Sequence, residues 1–226
     1  MSDLPITVVP SLPAHSWEQL TSLAEALTGT ASGFQVDIVD GQFVAATSWP
    51  FTEACDVQES LARLEVISEQ FAVDVDCMVV DPQQYLDSIL DINVDRVTIH
   101  LGSTPHIMDA VAHIKARGAK VGIALTNDRP LRELEPYIPH IDCVQVMGIA
   151  VVGAQGQPFD VRTVPRIQEL REQYPELEIA VDGSVKEDTI SILKEAGANR
   201  FAPGSVIAKA EDPAATFLQL QSLALS

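Results

Sequence analysis

The chain has 226 residues, 46% of them hydrophobic, and sets 32 acidic side chains against 14 basic ones for a net charge of −18. That is apolar material enough for one substantial core, and a single domain over residues 1–226 is the expectation. The acidic field disfavours nucleic acid and anionic membrane as partners, no apolar run approaches the roughly 20 residues that span a bilayer, and Met1-Ser2-Asp3-Leu4-Pro5 lacks a secretory pattern, so a cytoplasmic protein is expected.

Short β-rich runs alternate with helix-period segments along the chain. The strand candidates fall at 6–10, 33–38, 72–79, 96–100, 121–125, 143–147, 178–181 and 200–202. Between the second and third, Val57, Leu61, Leu64 and Ile67 form an apolar stripe at helical spacing. After the fourth, Ile107, Ala110, Val111 and Ile114 form another, stopped by Gly118. Val164, Ile167, Leu170 and Tyr174 precede Pro175, and Ile190, Leu193 and Ala196 precede Gly197. Eight strands alternating with helices predict parallel β joined by right-handed crossovers, an α/β fold of the (β/α)8 or TIM-barrel type. A doubly wound open sheet is the alternative, but no Gly-rich turn follows the first strand, which runs into Ser11-Leu12-Pro13. The three cysteines, Cys55, Cys77 and Cys143, match no zinc or redox spacing and read as small buried or half-buried side chains.

In such a barrel, chemistry gathers where strands end and loops begin. The polar residues there are Gln35, Asp37 and Asp40 from the second strand, Asp74 and Asp76 from the third, His100 from the fourth, Asp182 from the seventh, and Gly204-Ser205 after the eighth. Period-two alternation puts Gln35 and Asp37 on one face of their strand and Asp74 and Asp76 on one face of theirs. Helices cover a barrel's outside, so those faces point inward. Asp40-Gly41 reads as a turn, and Asp74 as an acceptor of neighbouring hydrogen bonds. His15, His113 and His140 read as surface residues. The loop over 45–56, with Trp49 and Pro50, is placed to cover the mouth.

Several motifs then come together in order: Pro10-Ser11-Leu12, Val36-Asp37-Ile38-Val39-Asp40-Gly41-Gln42-Phe43-Val44, Asp74-Val75-Asp76-Cys77-Met78, Val97-Thr98-Ile99-His100, Val181-Asp182-Gly183-Ser184-Val185 and Gly204-Ser205. They resemble the ribulose-phosphate 3-epimerase family across nearly the whole chain. The resemblance implies a barrel of the ribulose-phosphate-binding type and an isomerase of pentose-phosphate carbohydrate metabolism. In that family one Asp removes the C3 proton of a ketose phosphate and a second Asp delivers one to the opposite face of an enediolate. Asp37 and Asp182 match those acids. Ser11, Met78, Gly153, Gly156, Gly183, Ser184, Gly204 and Ser205 match positions that surround the substrate and its phosphate. The family also holds a divalent metal between two His and the same two Asp. Here Gln35 and Asp76 replace the two His, which leaves Gln35, Asp37, Asp76 and Asp182 as an all-oxygen ligand set suited to Mg²⁺, Mn²⁺ or Ca²⁺ rather than Zn²⁺. The family's Pro-Gly-Phe-Gly-Gly-Gln loop appears as Val151-Val152-Gly153-Ala154-Gln155-Gly156-Gln157. The partner implied is a small phosphorylated sugar, and family members are often homo-oligomers. A different phosphosugar isomerase or lyase on the same barrel, and a non-catalytic barrel that binds a phosphorylated metabolite, are the alternatives.

Overall fold

The computed structural model describes residues 4–153 and 156–226. Its strands are β1 (Thr7–Val8), β2 (Ser11–Leu12), β3 (Gly33–Val39), β4 (Ala72–Met78), β5 (Arg96–His100), β6 (Lys120–Leu125), β7 (Cys143–Met147), β8 (Glu178–Asp182) and β9 (Arg200–Ala202). All pairings are parallel, in the order β1-β9-β8-β7-β6-β5-β4-β3-β2. The two ends of that order are consecutive in the chain, which closes the barrel.

The first strand expected at 6–10 is therefore two short pieces, and Pro10 is the reason. Its ring leaves no N–H to donate, so one rung is missing from the ladder at that point. Upstream, Val9 N donates to Phe201 O at 2.8 Å; downstream, Gln35 N donates to the Pro10 carbonyl, also at 2.8 Å. Ser11 N still donates to Pro203 O at 3.0 Å, so one edge of the segment follows the β9 side past the proline while the other edge joins β3. The other seven expected strands lie within one or two residues of those observed, and a closed parallel barrel leaves no place for the doubly wound alternative.

The helices are α1 (Trp17–Ala26), α2 (Val57–Ala62), α3 (Glu65–Ser68), α4 (Gln83–Leu90), α5 (Ile107–Ala116), α6 (Thr163–Gln173), α7 (Ile190–Ala196), α8 (Ser205–Ala208) and α9 (Pro213–Leu225). Side-chain caps start several of them: Ser16 accepts from Gln19 N, Asp56 from Gln58 N and Glu59 N, and Asp212 from Ala215 N. The stripe expected as one helix over 57–67 is split between α2 and α3, yet Leu61, Leu64 and Ile67 all stay buried. Burial of the apolar face, not helix continuity, is what the period reports. Cys77 and Cys143 are buried, but Cys55 is exposed, because it precedes the cap of α2 in a surface loop. Among the described residues, no helix is long and apolar enough to cross a membrane.

The main core fills the space between strands and helices. A second, smaller group, Val39, Met78, Ala124, Met147 and Val152, lies at the C-terminal ends of the strands with Phe43, Val44 and Ala46 packed on it. It forms the apolar wall of the barrel mouth.

Candidate active site

Register decides which side chains meet. Asp37 on β3 is level with Asp76 on β4, and Met147 on β7 with Asp182 on β8. One carboxylate oxygen from each of Asp37, Asp76 and Asp182 lies within 4.8 Å of the other two. Gln35 sits one step below, and its amide nitrogen donates to Asp37 Oδ1 and to Asp182 Oδ2, each at 2.8 Å. Ser11 Oγ donates to the other Asp37 oxygen at 2.6 Å. Asp76 accepts at both oxygens, from His100 Nε2 at 2.8 Å and from Gln145 Nε2 at 2.9 Å.

Three acids gathered this closely repel, and little water reaches them. Burial, reinforced by the charge of Asp76, pushes the Asp37 carboxyl up to about 7; Ser11, Gln35 and His100 pull it back only in part. Burial and the charges of Asp37 and Asp76 push Asp182 well above the usual carboxylate range. At neutral pH the pair shares protons rather than losing them all. Burial and mutual repulsion therefore both push this pair toward holding protons.

Above the acids opens a cavity of about 710 Å³. Asp37 and Asp182 form part of its lining, together with Ser11, Met78, Gly153, Gly156, Gly183, Ser184, Gly204 and Ser205. Gln35 and Asp76 lie beneath, 5% and 0% exposed. Ala154 and Gln155 of the loop after β7 lie outside the described residues. The turn after β8 has an unusual backbone. Gly183 has φ +94°, where a Cβ would come within 2.8 Å of Ile149, and Ser184 follows at φ +55° without being a glycine. The close packing against Ile149 leaves no room for a side chain at Gly183, so this edge of the cavity is bare backbone.

Other expectations resolve differently. Asp40 accepts from the backbone N–H groups of Gln42, Phe43 and Val80, so it builds the turn. Asp74 pairs with Arg96 and Arg200. His15 is exposed but stands on the cavity rim. Of the loop over 45–56, residues 45–48 line the cavity, whereas Trp49 turns inward, 1% exposed, against Trp17 at 5.4 Å. An indole buries too much apolar surface to be left over an open mouth.

Sequence reasoning passed over Gln145, Met147 and Lys186. Gln145 stands between Val144 and Val146 in an otherwise apolar strand, and a polar residue there was itself the available signal. Lys186 lines the cavity beside the Gly183-Ser184 turn.

A model of the ribulose-phosphate 3 epimerase family matches residues 7–208. The chain is 27% identical over 207 residues to ribulose-phosphate 3-epimerase of Schizosaccharomyces pombe, covering 91% of this chain and 88% of that protein. It is 29% identical over 218 residues to the protein of that name from Mycobacterium tuberculosis H37Rv, covering 95% and 91%. Among solved structures, a 3-hexulose-6-phosphate synthase superposes with a TM-score of 0.74 at 20% identity, covering 96% of this chain and 99% of that one. KGPDC from Streptococcus mutans in complex with D-R5P superposes with a TM-score of 0.77 at 13% identity, covering 98% and 97%. At those identities the two structures speak for the fold alone.

Proposed function

The chain belongs to the ribulose-phosphate 3-epimerase family, and on that premise we propose that it inverts C3 of a ketose phosphate, with Asp37 and Asp182 as the two acid–base groups. The observation that carries the reading is the pair of acids from opposite sides of the barrel, joined through the single amide nitrogen of Gln35. Inversion needs two groups, because one base would return the proton to the face it left.

In the proposed reaction the carboxylate of one acid takes the C3 proton. The C–H electrons move into the C2–C3 bond and charge develops on the C2 oxygen, giving an enediolate. The other acid, still carrying its proton, delivers it to the opposite face of C3. Roles exchange in the reverse direction. Ser11 holds Asp37 in place through its hydroxyl, while Met78 and Met147 line the cavity with apolar surface that excludes water from the reacting carbon. The substrate's phosphate fits the far side, where the backbones of Gly153, Gly156, Gly183, Ser184, Gly204 and Ser205 border the cavity.

The donor set also fits a hard divalent cation. Oxygens within 4.8 Å of one another can share one ion at the roughly 2.0–2.6 Å typical of Mg²⁺ or Ca²⁺. Gln35 Oε1, Asp37, Asp76 and Asp182 are the residues that would hold it, after a rotation of the Gln35 amide. When bound, such an ion supplies positive charge where the enediolate develops its negative charge.

Proton NMR with ribulose 5-phosphate in D₂O, with and without Mg²⁺ or Mn²⁺, tests the proposal. Deuterium entering C3 while xylulose 5-phosphate accumulates is the expected result. No exchange with or without metal would overturn it for this substrate.

A further inference from the structure

Nothing in the reaction above accounts for two polar side chains sunk into the barrel to meet Asp76. His100, on β5, is 2% exposed and Gln145, on β7, is 3% exposed. Strand β7 lies three places from β4 in the sheet, so Gln145 reaches Asp76 across the barrel interior. An amide in such a place costs free energy unless it is hydrogen-bonded, and a leucine would pack there without that cost. The amide nitrogen of Gln145 is 2.9 Å from Asp76 Oδ2, with Met147 Sδ at 3.8 Å as its other contact. His100 Nε2 is 2.8 Å from Asp76 Oδ1, and its ring is braced edge-on by Phe43 at 5.5 Å.

The geometry of a carboxylate explains what the two donors achieve. An aspartate turns readily about its last bond, so alone it has no fixed plane. With one donor on each oxygen the plane is set. Each oxygen keeps a second lone pair, and one Asp76 oxygen lies within 4.8 Å of oxygens of both Asp37 and Asp182.

We propose that His100 and Gln145 are positioning residues that lock the Asp76 carboxylate, so that it completes a three-carboxylate seat for a hard divalent cation such as Mn²⁺ or Mg²⁺. The inference rests on the cation fit described for the proposed epimerase, but its test needs no sugar. Metal-stripped full-length protein is titrated with Mn²⁺, following heat by calorimetry and free Mn²⁺ by electron paramagnetic resonance. One ion per chain is expected. Gln145→Leu and His100→Leu should each bind it about 10- to 100-fold more weakly, the usual cost of removing a partner that orients a metal ligand. His100→Gln, which restores an amide donor, should recover much of the affinity. In an Asp76→Ala background, Gln145→Leu should change nothing further, because its effect passes through Asp76.

Unchanged Mn²⁺ affinity in a folded Gln145→Leu protein would overturn the proposal. So would an undiminished effect in the Asp76→Ala background, or wild-type protein that takes up no Mn²⁺. Should Gln145→Leu fail to fold by circular dichroism, Gln145→Asn, shorter by one methylene, carries the same comparison. C3 exchange measured separately without metal tells a failed cation seat from a failed epimerase.

Discussion

Two buried polar clusters share the inside of this barrel, and strand β4 contributes to both. Asp74 points into the floor and Asp76, two residues on, into the mouth. On the floor Asp74 meets Arg200, with Arg96 Nε 3.6 Å away, while Arg96 Nη2 lies 2.7 Å from Glu178 Oε1. Two acids face two bases. Burial raises Asp74, and both guanidiniums pull it back down. In the mouth the neighbouring charge works with burial: Asp76 pushes Asp37 further up, and Asp37 and Asp76 do the same to Asp182. Among the described residues, neither Asp37 nor Asp182 forms an ion pair with a lysine or arginine. Burial is common to both clusters; the sign of the neighbouring charge separates a floor whose acids are paired with bases from a mouth whose acids are pushed toward their protonated forms.

The sharpest way to break this contrast is to remove one member from each cluster. Asp37→Asn keeps the size of the side chain and its acceptor oxygen but cannot take a proton. It should lower C3 exchange by about 10²- to 10⁴-fold, the usual contribution of a positioned acid–base group. Deuterium incorporation measured by NMR checks it, and near wild-type exchange would remove Asp37 from the reaction. Arg200→Leu leaves Asp74 short of its closest cation. It should cost on the order of 3–5 kcal/mol of stability in urea unfolding, while kcat of the protein that remains folded stays close to wild type. A collapse of kcat with stability intact would place catalysis on the floor and erase the distinction.

How far each cluster was legible in the sequence follows from the range of its contacts. The inward direction of Gln35, Asp37, Asp74 and Asp76 follows from alternation within one strand, which is local. The partners do not: Asp74 and Arg200 are 126 residues apart, and Gln145 and Asp76 are 69 apart. Alternation alone treats both acids of β4 alike; the family resemblance singled out Asp76, and only the wrapped strands supply the partners of each. Helix caps are local in the same way, as with Asp56 and Asp212, which bond to backbone two or three residues on, and contacts of that range are readable in principle. The break between α2 and α3 was not, since Leu61, Leu64 and Ile67 keep one apolar face whether or not the hydrogen bonds run through. Pro10 could have warned of a divided first strand, because a proline within a run cannot donate to the ladder.

A smaller effect sharpens the comparison through pH. A carboxyl whose pKa is higher folded than unfolded binds its proton more tightly in the native state. Raising the pH from the unfolded value of 3.8 through the folded value of about 7 for Asp37 therefore removes stability. Metal-free protein should lose melting temperature across that window, and Asp37→Asn should flatten the loss. At pH 8 the variant should be the more stable by on the order of 1–4 kcal/mol, at roughly 1.4 kcal/mol for each unit of displaced pKa. At pH 4 the two should nearly coincide. Differential scanning calorimetry in the presence of a chelator measures this, and a wild-type protein that gains stability over the same range would show that the mouth acids are not held protonated by burial.

The smallest expected effect concerns the cavity's charge. The net charge of −18 works against a sugar phosphate at long range, and the acids below the cavity add to it. Among the described residues that line the cavity, Lys186 is the one lysine or arginine, and it stands beside the Gly183-Ser184 turn. Its ammonium lies 3.1 Å from Asp188, with both side chains substantially exposed, 46% and 68%. An exposed pair of this kind contributes roughly 0–1 kcal/mol, so little holds the lysine back from an incoming phosphate. Lys186→Met should raise KM for the phosphorylated ketose by about two- to fivefold with kcat unchanged, the range expected of one solvated ion contact. The difference should shrink as salt is raised, because screening acts on exposed charges first. A fall in kcat instead would tie Lys186 to the reacting acids, and equal KM values at low salt would leave the phosphate to the backbone around Gly183 and Gly204 alone.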